Sequence, residues 1–209
     1  MSAFDYLAVL ISIVLGLGIA NILSGFAAIV RARDRVKSFL PTYIQMGNIF
    51  LIHIQMWWSM FGLRDVLHWT FPAFLFTILQ PVLLYLMSAF LVPAIADEGA
   101  VDLEQAYFRE SSWFAAGLFA SVIVSLIRSR LTDGHWPGTA NLFAHAVFAL
   151  LGVIGFFGRS RRIHMFLAPA VTLFFGLYIA VLFFDLRQRP WICRSASHLK
   201  GRGVALWAF

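Results

Sequence analysis

Residues 48–58 read NIFLIHIQMWW, with an asparagine, a histidine and a glutamine set among Ile, Phe, Leu, Met and two tryptophans. In hydrocarbon an unpaired polar group costs several kcal/mol, so such side chains must turn toward protein. At 100° per residue, Asn48 and Gln55 share one helical face, which Gln45, Ser59 and Gly62 extend. His53 lies about 140° round the helix from Asn48. The spacing predicts a helix with a polar stripe toward the interior and a separate histidine facing a different neighbour.

The rest of the chain supports a lipid setting for this helix. Of 209 residues 61% are hydrophobic and 12% charged, against about 25% charged in soluble domains. The mean hydropathy is +0.82. Apolar runs of membrane-spanning length recur, which defines an all-α integral membrane protein. Six transmembrane helices are expected at 4–30, 40–62, 71–93, 108–127, 139–158 and 163–185. They divide the chain into a membrane half at 1–93 (spans 1–3), a polar connection at 94–107, a second half at 108–185 (spans 4–6) and a basic interfacial tail at 186–209. The first run lacks a basic leader and a small-residue cleavage site, so it is expected to stay as a span.

The net charge of +6 comes from Lys and Arg clustered between the runs, where they act as topology signals and headgroup contacts rather than nucleic-acid ligands. Arg31, Arg33, Arg35 and Lys37 place 31–39 in the cytoplasm with the N-terminus outside, and Arg159, Arg161 and Arg162 agree. The basic tail then falls outside, against the rule. Arg128 and Arg130 are expected to snorkel to phosphates near the outer end of span four, with a cationic mouth for anions as the second reading. Trp57, Trp58, Trp69, Trp113, Trp136 and Trp191 mark interfacial belts. The single cysteine, Cys193, has no internal disulfide partner.

The two halves echo each other. Ala20, Ser24 and Ala28 followed by VRAR (30–33) return as Gly117, Ser121 and Ser125 followed by IRSR (127–130), and HWTFP (68–72) returns as HMFLAP (164–169). Units of three spans would sit as inverted repeats, an arrangement that places transporter sites near the bilayer midplane. The small residues Ser12, Gly16, Ala20, Ser24 and Ala28 form a stripe that lets another helix approach, and a homo-oligomer is expected.

The candidate cavity or ligand-binding set is Asn21, Asn48, Gln55, Gln80, Asn141 and His145, with Gln80 directly before the helix-breaking Pro81. These groups point to a channel or transporter that carries an ion or small solute through a neutral polar cavity. A second reading takes His53 and His145, which lie at similar depth, as axial ligands of haem b. A third is a non-transporting subunit or assembly factor of a membrane complex. No zinc pattern such as HExxH occurs, GLGIAN (16–21) lacks the context of a dinucleotide loop, and no catalytic motif is present, so an enzyme is not the expected class. The lipid bilayer is the expected partner, in a bacterial inner (plasma) membrane.

Overall fold

Helix ends follow the polar punctuation of the sequence. The computed structural model describes residues 3–66, 68–95 and 99–182. Among these are six α-helices: α1 (Ala3–Arg31), α2 (Leu40–Ser59), α3 (Phe71–Leu91), α4 (Leu103–Asp133), α5 (Thr139–Phe157) and α6 (Arg161–Leu182). Pro41 and Pro72 sit in the first turns of α2 and α3, where a missing N–H costs nothing. Thr70 caps α3 through Ala73 N, and Gly134, at φ 74°, ends α4 in the left-handed conformation.

Five helices, all but α2, are long and apolar enough to cross a membrane. Helix α2 carries Gln45, Asn48, His53 and Gln55, yet it is the helix with neighbours on most sides, packing on α1, α3, α4 and α6. Its polar groups are all buried. Helix α4 differs from expectation in length: it begins at Leu103 rather than 108 and runs to Asp133, about 46 Å at 1.5 Å per residue. The last part of the stretch that reads as connection, 103–107, is its first turn, capped by Asp102, whose carboxylate accepts from Glu104 N and Gln105 N.

Side-chain pairs set the register. Asn21 bonds Ser88 and Gly25 meets Val92, so α1 and α3 run parallel. Phe90 stacks on Trp113 and Met87 meets Gly117 and Ser121, so α3 and α4 are antiparallel. Ser125 with His145, and Leu118 with Gly152, make α4 and α5 antiparallel. Tyr107 with His164 and Thr172 with Asn48 place α6 beside the starts of α4 and α2.

One end of the bundle gathers three connections. Val36–Lys37 (β1) pairs in parallel with Val101–Asp102 (β2). Lys37 Nζ donates to Asp102 Oδ2 at 2.7 Å, Arg161 pairs with Glu104, and the Arg161 guanidinium lies over Phe39. The hydrogen bond to Asp102 holds the Lys37 ammonium above its ordinary value, and the same bond holds Asp102 below the usual carboxylate range.

The two halves pack differently. Helix α1 lies along α3, whereas α4 and α6 have no comparable contact. Ala20 and Ser24 are exposed, while their sequence counterparts Gly117 and Ser121 face Met87 of α3. His68 is exposed and His164 buried. The tail at 186–209, with Cys193 and Trp191, lies outside the described residues.

Candidate functional site

Where α2 to α6 surround a common space near the basic end, the packing leaves a cavity, with about 50 Å³ open to the centres of water molecules. That admits a few waters or one small solute, since a water needs about 10–15 Å³ by this measure. Most of the wall is apolar, including Ile52, Phe114, Leu118 and Phe148. The polar wall is made by Gln45, Asn48, Tyr107, Glu110, Ser111 and His164. A second recess lies toward the 92–94 connection and shares Phe90, Leu91, Tyr107 and Glu110 with the first.

A line of hydrogen bonds crosses this wall. Thr172 Oγ1 lies 2.8 Å from Asn48 Oδ1, Asn48 Nδ2 donates to Gln45 Oε1 at 2.9 Å, and Gln45 reaches the Tyr107 hydroxyl. Tyr107 Oη is 2.9 Å from His164 Nδ1, and His164 Nε2 is 2.6 Å from the Gly158 carbonyl. A carbonyl only accepts, so Nε2 carries the proton in the neutral ring. Nδ1 is then the acceptor and Tyr107 the donor. The donors at Asn48, Tyr107 and His164 therefore point one way, toward Gly158, while Thr172 Oγ1 also lies 3.0 Å from the Ala168 carbonyl.

The expected set divides between different places. Asn48 alone lines the cavity. Asn21 bonds Ser88 between α1 and α3. Gln55, Gln80, Asn141 and His145 lie toward the opposite end, all buried. His145 donates from Nδ1 to Asn141 O at 2.7 Å and accepts at Nε2 from Ser125 Oγ at 2.9 Å.

His53 makes the same bond on its own helix, Nδ1 to Ile49 O at 2.7 Å. Its Nε2 has no partner and abuts Gly18, where an added Cβ would fall 2.1 Å from it. The histidine does face away from the stripe, toward α1. Its ring and that of His145 turn to different helices, α1 and α4. His145 engages both ring nitrogens in hydrogen bonds, so the arrangement lends the bis-histidine haem reading no support.

Sequence reasoning missed Tyr107 and Thr172, read His164 only as part of the echo between the halves, and placed Arg128 at the headgroups. Arg128 does not snorkel: its residue is 2% exposed, whereas Arg130 is exposed and donates to the Gly134 carbonyl. Two patterns carried the signal. His164, Ala168 and Thr172 repeat every four residues on one face of α6, and Ser121, Ser125 and Ser129 mark the face of α4 that packs inward beside Arg128. No protein-family model matches this chain, and neither a curated protein nor a solved structure shows significant similarity to it.

Proposed function

We propose that this chain is a small membrane channel or transporter that accepts a small solute in the cavity between α2 and α6. The observation that carries the reading is the cavity itself: a space for a few waters within an apolar bundle, bounded on one side by hydrogen-bonding groups and sharing Tyr107 and Glu110 with a second recess. Binding sites of this kind are mostly apolar with a few placed polar groups. In this reading all six helices cross the bilayer, the basic end faces the cytoplasm by its Lys and Arg content, and a bacterial inner membrane is the setting. The sequence echo of the halves belongs to the same proposal as inverted repeats, though the unequal packing of α1 on α3 and α4 on α6 lends it no support.

Reconstituted liposomes test the reading. Light-scattering with a panel of small solutes should reveal flux for at least one, and Ala115→Leu, which puts a larger side chain into the cavity wall, should reduce that flux about tenfold while the fold persists. Absence of flux across the panel, or flux indifferent to Ala115→Leu, defeats it. A second reading, a subunit of a larger membrane assembly, draws on Gly16, Ala20 and Ser24, which stay exposed within the protomer. The same line supports a homo-oligomer. A stable complex with other chains and no solute flux would favour the subunit reading.

A further inference from the structure

Toward the end opposite the β1–β2 pair, the bundle contains a second polar layer. The antiparallel register of α3 and α4, fixed by Phe90 with Trp113 and Met87 with Ser121, carries Gln80 to the level of Ser125 and Arg128. Across α4, the Ser125–His145 bond places Asn141 beside the same turn. Tyr178 and His145 lie within electrostatic range of the Arg128 guanidinium. Arg128 is 2% exposed, yet its Nε and Nη2 have no hydrogen-bond partner among the described residues. These two nitrogens form one edge of the guanidinium plane, the edge that matches the two oxygens of a carboxylate.

The neighbours do not fill that edge. Among the described residues Asp133 is the acidic group in electrostatic range, but it does not bond Arg128 Nε or Nη2; its oxygens accept from Ser129 Oγ and Thr132 Oγ1, each at 3.2 Å. Gln80 has neither amide atom partnered, although it is completely buried. A buried guanidinium with an open edge is unfavourable until an anion meets it. An amide whose N–H groups are unused supplies further donors at the same level. The aliphatic stem does not carry the charge out to headgroups, so a lipid phosphate is not the counterion.

We propose that this layer binds one small oxyanion per chain, of the carboxylate class, held two-pronged by Arg128 Nε and Nη2 with the Gln80 amide as an additional donor. The proposal stands apart from the solute reading, because it concerns equilibrium binding to the other half of the bundle and needs no transport.

Equilibrium dialysis of the detergent-purified protein against radiolabelled acetate tests it. The expected result is saturable binding of one acetate per chain, weakened about tenfold or more by Arg128→Lys, which keeps the charge and loses the paired N–H edge. Lack of saturable binding by the wild type overturns the proposal, and so does unchanged affinity in Arg128→Lys. Should that variant not fold, phenylglyoxal modification of the wild type decides. Acetate should protect Arg128, identified by peptide mapping, and modification of Arg128 indifferent to acetate overturns the assignment.

Discussion

At the residue scale the bundle sets polar groups of two kinds side by side. Asn48 is bonded at both ends of its amide, to Thr172 and to Gln45. Gln55 is buried with neither amide atom partnered. Asn48→Leu strands Gln45 and should lower stability by about 1–3 kcal/mol in detergent unfolding, while Gln55→Leu removes an unpaired group and should leave stability unchanged or higher. Equal loss in both variants would contradict the hydrogen-bond assignment. Gly18 is set by its neighbour: a methyl there would overlap the His53 ring. Gly18→Ala should cost about 1–3 kcal/mol, and adding His53→Ala should recover most of it, a coupling measurable in a double-mutant cycle. That His53 faces away from Asn48 was legible from the helical period alone. Which helix it would meet was not, because the period fixes a direction on one helix and contains nothing about its neighbours. Arg128 shows the same limit, since an arginine near a predicted span end reads as a headgroup contact until the inward turn of α4 is known.

At the element scale, helix existence and most boundaries could be read from apolar runs ended by proline, glycine or charge. Helix α4 was the exception at both ends. Its flanks, LEQAY and RSRLTD, are too polar to register as membrane span, but lipid contact is not required for helix formation, and Asp102 supplies the cap that starts the first turn. Asp102 also holds Lys37. Its carboxylate is held below its ordinary value of 3.8, so its contribution is present above that pH and is lost as pH falls through the lowered value. Lys37, raised from 10.5, contributes below that pH and loses its contribution only as pH rises through the raised value. The contact therefore persists across neutral pH. Amide exchange over 101–105, corrected for intrinsic rates, should quicken on acidification to about pH 2. Asp102→Ala should remove most of that pH response and lower stability through the lost cap. An unaltered response in Asp102→Ala would reject the assignment.

At the scale of the whole molecule, the β1–β2 pair restricts how the chain threads the membrane. A backbone ladder cannot form across a bilayer, so 36–37 and 101–102 lie on the same side, and the number of crossings between them is even. Helix α3 is apolar enough to cross. In the proposed six-span topology it does, and parity then takes α2 across with it, polar residues included. The Arg161–Glu104 pair imposes the same condition on α4 and α5. Cysteines substituted at Asp34 and Ser160 should label from one face of sealed vesicles, and one at His135 from the other; labelling of Asp34→Cys and Ser160→Cys from opposite faces would break the parity. The constraint leaves the absolute sense open to inversion only as a unit. A charge change that reorients one helix must therefore reorient its companion or break the ladder, so loops 36–37 and 101–102 should change sides together in any variant that still folds.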